Sequence, residues 1–228
     1  MSVLSAAQSA AIRVNVGELP ALFSNTYHIA AEFRDLIQET AADIVDAYDW
    51  RDLTKIATFT GDGVAEAFDP PADFGRMAQG SYVDDPDTWL WGYCAIPDMN
   101  AWMRRTKRAW VTPGGWIRFG GQFHFYPAPS GEAAFPYVSN LLARGSNGSL
   151  KPQFSADDDT FVLDERLLTL GLIWRYRAQK GVDYSEDMAN YETSLSQAMT
   201  RDAGARVIRK PTRRYTFGAL PAWPWELG

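Results

Sequence analysis

The chain has 228 residues, a length that suits one large domain or two small domains packed together. Hydrophobic residues make up 46% and aromatic residues 14%, so the composition supports a packed core and favours either broad interfaces or an aromatic ligand surface. The formal net charge of −6 argues against a free nucleic-acid binder, which usually presents a basic face, although it leaves room for a local basic patch.

The N-terminal residues Met1–Ala11 are small and polar. They lack a basic start followed by an apolar run, so we expect no signal peptide. No apolar run approaches the roughly 18 residues that a membrane span requires. The first predicted helix runs from about Tyr27 to Tyr48, because apolar residues recur there at helical spacing. A shorter helical turn through Leu53 is expected to follow it.

The centre of the chain changes to a β pattern near Ala57. Thr58–Thr60 predicts a strand, Gly61-Asp62-Gly63 a turn, and Val64–Phe68 the returning strand of the same hairpin. Pro70-Pro71 ends that pairing. Glycine and proline turn signals separate further strand-like runs at Trp89–Tyr93, Ala109–Thr112, Trp116–Phe119, Gln122–Tyr126 and Phe135–Leu142. The pattern predicts a compact antiparallel module of about six strands, a small barrel or sandwich.

Helical periodicity returns at about Leu163 and predicts two consecutive helices. The first is expected to end at Gly181, and Asp183 is placed to cap the second, with Glu186 three residues later. The second helix is expected to end at Gly204. The apolar stripes of the two helices are Leu167, Leu168, Leu170, Ile173 and Trp174, then Met188, Tyr191, Leu195 and Met199. A helix, a short glycine-containing turn and a helix form an antiparallel αα-hairpin, so the fold class is α+β.

The last stretch, Ala205–Gly228, differs in composition from the rest. Its first part is basic and contains no acid: Arg206, Arg209, Lys210, Arg213 and Arg214. Prolines on both sides of Trp223 exclude a regular helix in its last part. A disordered tail is the alternative interpretation. Tyr215, Trp223 and Trp225 argue against it, because disordered segments are usually poor in aromatic residues.

Several short motifs together resemble one known family. In the first half they are Asp49-Trp50-Arg51-Asp52-Leu53, Thr60-Gly61-Asp62-Gly63 and Pro71-x-Asp73-Phe74. In the second half they are Leu167-Leu168-x-Leu170-Gly171-x-Ile173-Trp174-Arg175, Lys180-Gly181-x-Asp183-Tyr184, Tyr191-Glu192 and Arg201-Asp202. Over about 33–74 and 161–202 the chain resembles the head-to-tail adaptor, or head-completion, proteins of tailed phages. Asp69-Pro70-Pro71 departs from the family pattern of an apolar residue before a single proline.

The resemblance implies a helical bundle from residues 1–56 and 160–204 and an inserted β-rich domain of residues 57–159. The composition of residues 205–228 predicts an extended docking tail. It implies a structural virion protein at the head–tail interface, assembled in the bacterial host cytoplasm, with no enzymatic activity, cofactor, metal or membrane contact. About twelve copies would form a closed ring that binds the portal and downstream tail or stopper proteins.

The resemblance also implies a channel through which double-stranded DNA passes without sequence-specific binding. An acidic lumen would repel the phosphates, with Glu186, Asp187 and Glu192 as candidates. The tail is expected to dock on the portal or a neighbouring subunit through basic residues and aromatic anchors. The expected partner-binding residues are Arg206, Arg209, Lys210, Arg213, Arg214, Tyr215, Trp223 and Trp225. The expected subunit-packing residues are Trp174, Tyr184 and Tyr191.

Candidates for catalysis or metal binding are few. His28 and Glu32 stand four apart on a helix and could share a metal, but two ligands are too few, so a surface pair is favoured. Asp157-Asp158-Asp159 lacks the glycine and glutamate of an EF-hand loop and is interpreted as a solvated loop. His124 lies between two phenylalanines and is predicted to face outward from a strand. Cys94 has no adjacent base and is interpreted as a small buried hydrophobe.

Two alternatives to the adaptor role stay open. One is another connector-layer protein, such as a stopper or a tail terminator. The other is a β-sandwich carbohydrate-binding module, because aromatic faces bind sugar rings by apolar contact. Its stacking platform would consist of Trp89, Trp91, Trp102, Trp110 and Trp116.

Overall fold

The computed structural model describes residues 2–85, 87, 89–107 and 114–203. Within them the helices are α1 (Val3–Arg13), α2 (His28–Asp46), α3 (Met99–Lys107), α4 (Glu165–Gln179) and α5 (Ser185–Ala203). The strands are β1 (Thr54–Thr60), β2 (Ala67–Phe68), β3 (Phe74–Met77), β4 (Val83–Asp85), β5 (Trp89–Ala95), β6 (Gly115–Phe119), β7 (Gln122–Tyr126), β8 (Glu132–Ser139), β9 (Ala143–Arg144), β10 (Leu150–Lys151) and β11 (Thr160–Phe161). The predicted α+β class with a β-rich centre is confirmed.

Helix α4 is the central helix of the helical part and packs against α1, α2 and α5. Its buried residues cover more than one side, as expected for a helix with several neighbours. Helix α2 presents a single apolar stripe that includes Phe33, Ile37 and Ile44. The predicted helix over 27–48 is confirmed, and hydrogen bonds from the amides of Leu53 and Thr54 to the carbonyl of Trp50 form the expected turn after it.

Helix α1 was not predicted from the sequence. The side chain of Ser2 caps it by accepting a hydrogen bond from the amide of Ser5, and its buried face consists of Val3 and four alanines. Alanine has the highest intrinsic helix propensity, but its small side chain produces little hydrophobic periodicity. The alanines let α1 approach α4 closely, so tertiary packing buries a face that appears polar in the sequence.

The αα-hairpin of α4 and α5 is confirmed. Gly181 adopts φ +69, and the amides of Gly181 and Val182 donate to the carbonyls of Ala178 and Arg177. These paired bonds form a Schellman motif, which requires a left-handed residue and therefore favours glycine. Asp183 Oδ1 then accepts a hydrogen bond from the amide of Ser185 at 3.0 Å, at the start of α5.

The main sheet has the strand order β1-β8-β4-β5-β6-β7-β2, and β3 also pairs with β8. All pairs are antiparallel except β5 and β6, which run parallel, so the prediction of an antiparallel module is corrected to a mixed sheet. The cause is α3, which lies between β5 and β6 in the chain and was not predicted. A helical crossover returns the chain to the same end of the sheet and makes the next strand parallel.

The predicted hairpin of Thr58–Thr60 and Val64–Phe68 is wrong. Strand β1 pairs along its whole length with β8, and β2 pairs with β7. The predicted turn does form, because Asp62 Oδ1 accepts hydrogen bonds from the amides of Val64 and Ala65. It directs the chain across to β7 instead of back along β1. The rings of Phe59 and Phe68 lie 4.4 Å apart, so the sheet curls until its two end strands meet through side chains.

Two hydrophobic clusters form the core. The first is built by the helices together with residues from the 50–53 turn, the end of β8 and the 142–161 segment, including Trp50, Leu53, Leu142 and Phe161. The second lies inside the curled sheet and is largely aromatic. Its buried residues are Ala57, Val83, Tyr93, Trp116, Phe123, Phe125, Ala133, Phe135 and Tyr137.

Candidate interaction surfaces

The predicted docking tail lies outside the described residues, as do Arg206, Arg209, Lys210, Arg213, Arg214, Tyr215, Trp223 and Trp225. Its charge is informative by itself. Residues 205–228 hold five basic residues and one acid, Glu226, a formal charge of +4, whereas the whole chain carries −6. The other 204 residues therefore carry −10. A basic segment attached to an acidic body favours interaction with an acidic surface.

The last described turn of α5 is joined to the turn that follows α2. The backbone amide of Arg51 donates to Asp202 Oδ2 at 3.2 Å, and Arg51 Nη2 donates to the carbonyl oxygen of Ala203 at 2.9 Å. We call this pair of contacts the Arg51–Asp202 clasp. Both residues occur in motifs that the family resemblance singled out, but sequence spacing gave no sign that they meet.

The motif of residues 49–53 forms the junction between helices and sheet. Asp49 pairs with the guanidinium of Arg76 and accepts a hydrogen bond from the amide of Gln79 at 2.6 Å. Trp50 Nε1 donates to the carbonyl of Ile44 at 2.7 Å, and the carbonyl of Leu53 accepts from the amide of Ser139 at 2.8 Å. The motif therefore ties α2 to strands β3 and β8.

Asp73 forms a second polar centre at this junction. Its carboxylate accepts hydrogen bonds from Lys55 Nζ at 2.6 Å, Tyr137 Oη at 2.8 Å and Ser139 Oγ at 2.9 Å. Burial opposes ionisation, but these donors outweigh it and lower the pKa of Asp73 to about 2. Burial and the Asp73 carboxylate together raise the pKa of Tyr137 to about 12. Both shifts arise from a structural network that joins β1, β3 and β8.

The three residues predicted for subunit packing come together within one chain. The ring of Trp174 lies 6.2 Å from that of Tyr184 and 6.1 Å from that of Tyr191, and the guanidinium of Arg175 lies over it at 4.8 Å. Tyr191 is buried in the hairpin, whereas Tyr184 is exposed. Within this cluster, Tyr184 is thus the residue with the most surface to offer a neighbour.

Exposed apolar side chains concentrate at one end of the helical part. Lys180 Nζ meets Glu32 Oε1 at 2.7 Å, and Arg177 Nη2 donates to the carbonyl of Arg13 at 3.4 Å, so the start of α2 and the ends of α1 and α4 are adjacent. Of the twelve large hydrophobic side chains with marked exposure in the described part, six lie there: Ile12, Tyr27, Ile29, Val182, Tyr184 and Met188. A concentration of exposed apolar side chains of this kind is typical of a protein interface.

The candidate metal ligands serve structural contacts. His28 Nδ1 lies 3.4 Å from Glu32 Oε1, but His28 is 85% exposed and Glu32 also binds Lys180. No group of three or more potential metal ligands occurs among the described residues. The Lys180–Glu32 pair joins the end of α4 to α2, whereas His28–Glu32 lies within α2.

The acidic run at 157–159 is not the solvated loop that the sequence predicted. Asp157 Oδ1 accepts hydrogen bonds from the amides of Leu22 and Phe23 at 2.9 and 2.8 Å. Asp159 is fully buried, pairs with Lys151 Nζ at 2.8 Å and accepts from the amides of Ser155 and Ala156. Burial raises the pKa of Asp159, but its donors outweigh that effect and lower it. The run therefore holds the N-terminal segment and its own loop in place.

The aromatic platform of a sugar-binding module is not present among the tryptophans that the structure describes. Trp102 and Trp116 are 7% and 8% exposed, so neither offers a stacking face. The side chains of Trp89 and Trp91, and all of Trp110, lie outside the described part.

His124 faces away from the aromatic core as predicted, and it stacks on Phe119 at 3.7 Å beneath α3. Cys94 is half-buried, which corrects the expectation of a buried residue.

No helix in the described part is long and apolar enough to cross a membrane.

The structure is an α+β scaffold. Hydrogen bonds and ion pairs of Asp49 connect the helical part to the sheet, those of Asp73 join strands of the sheet beside the helices, and those of Arg175 connect α4 to α2. The family model described as "SU10 adaptor protein" matches residues 1–218. The chain therefore belongs to the SU10 adaptor protein family, a family of phage head–tail adaptors, and the resemblance found in the motifs is confirmed. No curated protein matches the chain.

Membership in this family makes the protein a phage adaptor and a virion component that interacts with other head and tail proteins. An adaptor is a structural protein, so membership implies no enzymatic role.

Proposed function

We propose that the protein is the ring-forming adaptor subunit of the head–tail connector. In this role about twelve copies form a closed ring under the portal vertex, and the ring joins capsid to tail and surrounds the DNA channel. The observation that supports it best is the family match over residues 1–218, which includes the basic part of the tail. The helical bundle provides the ring wall, and the β-rich module projects from it.

The C-terminal tail is the portal-docking element in this proposal. Its charge of +4 favours an acidic surface, and in this proposal that surface belongs to the portal. Tyr215, Trp223 and Trp225 supply apolar anchors, the residue types that dominate binding energy at protein interfaces. Trp223 and Trp225 lie beyond the matched residues 1–218, so the family match does not include them.

Neighbouring subunits are proposed to meet at the apolar end of the helical part. Tyr184 and Met188 are exposed there, next to Trp174. Glu186 and Glu192 are exposed on α5 and are candidates for an acidic lumen that repels DNA, whereas Asp187 is paired with Arg177. Tyr184→Ala is expected to weaken ring formation, and Tyr82→Ala, at an exposed position of the β-rich part, is the matched control.

Mixing the full chain with the purified cognate portal ring and measuring the mass of the product tests the proposed function. The expected product is a portal ring carrying about twelve adaptor copies. A chain that ends at Gly204 is expected to stay folded by circular dichroism and to lose portal binding. Normal assembly by the truncated chain would exclude the tail as docking element.

Two further variants separate the contributions of the tail. A chain that ends at Gly218 lacks both tail tryptophans but keeps the basic residues. A charge variant keeps both tryptophans and has glutamine in place of Arg206, Arg209, Arg213 and Arg214. The charge variant is expected to slow association and to flatten its salt dependence, and the shorter chain is expected to dissociate faster. Arg104→Gln and Arg166→Gln, at exposed positions of the body, are the controls. Binding to a tail protein but not to the portal would favour the stopper or terminator alternative.

A further inference from the structure

The C-terminal end of α5 is held by an unusual pair of contacts. Asp202 accepts a hydrogen bond from the amide of Arg51 at 3.2 Å, while the side chain of Arg51 donates to the carbonyl of Ala203 at 2.9 Å. The two partners lie 151 and 152 positions from Arg51 along the chain. The side chain of Asp202 thus satisfies a backbone amide of the 50–54 turn, and the side chain of Arg51 satisfies a backbone carbonyl at the end of α5.

The helix itself gives no reason for an aspartate at position 202. A carboxylate in the last turn of a helix opposes the helix dipole, which favours basic residues there. Asp202 instead lies at the N-terminal side of the 50–54 turn, where amide groups favour an acceptor. The guanidinium of Arg51 supplies the positive charge that the end of α5 lacks. Both residue types therefore suit the contact between the two elements better than they suit either element alone.

Apolar packing holds α5 as far as Ala198 and Met199, and none of the residues 200–203 belongs to the hydrophobic core. An open groove of about 400 Å³ separates the start of α4 from the last turns of α5, and Gln197, Thr200 and Arg201 line it. Across the groove Arg201 and Asp164 approach only to 3.7 Å, with side chains 71% and 43% exposed, a pair that contributes little. Beyond Met199, the described hydrogen bonds that join α5 to another element are the two with Arg51.

The end of α5 is also the point from which the tail departs. The 25 residues from 204 to 228 could extend by about 80 Å. The position of Ala203 then decides which surfaces the tail can reach. Binding that orders a chain segment costs conformational entropy, and the cost falls when the residue before the segment is already held in place.

We propose that Arg51 and Asp202 are positioning residues for portal docking: the Arg51–Asp202 clasp fixes the point at which the tail leaves the body and so strengthens its binding. This inference rests on the proposed function, because it assumes that the tail docks on the portal. Neither residue contacts the portal itself in this proposal. Both act through the segment that follows Ala203.

The first experiment measures the clasp in the free full-length chain. Arg51→Ala and Asp202→Ala are expected to raise amide hydrogen exchange several-fold in the last two turns of α5, and Arg51→Ala is expected to speed tryptic cleavage after Arg201. Cleavage after Arg166, at the start of α4, is the internal reference and is expected to stay constant. Asp52→Ala, in the same turn as Arg51 but without a described contact to α5, is the control. Unchanged protection in both clasp variants would overturn the inference at its structural step.

The second experiment measures binding of the same variants to the purified portal ring. Arg51→Ala and Asp202→Ala are expected to weaken binding about three- to tenfold, while Arg51→Lys keeps a donor and restores most of it. Melting temperatures near that of the wild type show that the loss is not caused by unfolding. If the wild-type chain does not bind the portal, the proposed function fails. If the wild type binds and the clasp variants lose protection but bind equally well, the positioning role fails.

Discussion

The hydroxyl of Tyr137 donates a hydrogen bond of 2.8 Å to the carboxylate of Asp73, although the two residues lie 64 positions apart. Lys55 and Ser139 donate to the same carboxylate, so strands β1 and β8 and the start of β3 meet at one half-buried charge. A half-buried carboxylate with three donors holds its neighbours in one arrangement, because losing any donor leaves part of its charge unsatisfied. The network therefore sets how the sheet begins beside the helices.

The Asp73 network predicts a pH dependence of stability at acid pH. The folded-state pKa of about 2 lies below the unfolded value, so the ionised carboxylate stabilises the fold above about pH 4. This contribution of about 2 kcal/mol is lost as the pH falls from about 4 towards 2. Urea denaturation of the wild type and Asp73→Asn should show a stability difference that shrinks over this window. A difference that stays constant from pH 6 to pH 2 would contradict the assignment.

Tyr137 predicts the opposite behaviour at alkaline pH. Its folded-state pKa of about 12 lies above the ordinary value near 10, so its contribution is complete below pH 10 and is lost as the pH rises towards 12. Tyr137→Phe is expected to cost about 1–2 kcal/mol at pH 7, and this cost should diminish above pH 10. Tyr82→Phe, at an exposed position, serves as control and should be neutral.

Gly171 lies at a point of close approach between α2 and α4. A Cβ at this position would meet Thr40 Cγ2 at 2.3 Å, and Thr40 is fully buried. Gly171→Ala is therefore expected to destabilise the protein by about 2 kcal/mol, even though alanine is the better helix former. Thr40→Ser removes Cγ2 but keeps the hydroxyl that donates to the carbonyl of Leu36. The double variant should regain most of the lost stability in thermal denaturation, and an additive loss would contradict the contact.

The acidic run at 157–159 offers a test with its own control. Asp159→Ala is expected to cost about 3 kcal/mol or more, because it leaves Lys151 and the amides of Ser155 and Ala156 without their acceptor. Asp157→Ala should cost less and should raise hydrogen exchange at Leu22 and Phe23. Asp158 is exposed, and its replacement should be neutral. Equal effects at Asp158 and Asp159 would restore the solvated-loop interpretation.

Arg175 connects α4 to α2 through two carboxylates. Its side chain is 11% exposed and pairs with both Glu39 and Asp43, which lie one helical turn apart. Arg175→Met keeps most of the packing but leaves two neighbouring acids without their shared cation, at an expected cost of about 1–3 kcal/mol. Arg166→Met, at an exposed position of the same helix, should change stability little. The measurement is chemical denaturation, and a neutral Arg175→Met would show that packing alone holds the helices together.

The sequence predicted those helices whose local signals, an apolar stripe of helical spacing and a glycine at the turn, are complete. Helices α2, α4 and α5 follow from apolar stripes, and the turn at Gly181 follows from its glycine. Helix α3 was missed although Asp98 accepts a hydrogen bond from the amide of Ala101 at its start. That capping signal stands before a short helix whose only described buried residue is Trp102. A segment of this length gives weak periodicity, and its tryptophan suggested a binding surface instead.

The candidate interaction surfaces were predictable only in part. The sequence placed Trp174, Tyr184 and Tyr191 on one hairpin, and the structure brings their rings together. It did not predict that Arg51 meets Asp202, because no local pattern relates residues 151 positions apart. The burial of Asp159 was not predicted for the same reason. Its partner Lys151 was visible eight residues away, but its burial depends on the N-terminal segment packed above it.

The sequence alone determined the α+β class, the adaptor family, the αα-hairpin and the opposite charges of body and tail. These properties depend on composition, short motifs and helical periodicity, which are local. Only the tertiary structure decided that β1 pairs with β8, that α3 makes the sheet mixed, and that Arg51 holds the end of α5. Strand pairing and side-chain contacts across the chain depend on which loops close and which surfaces are buried together, and those choices are made by the whole fold.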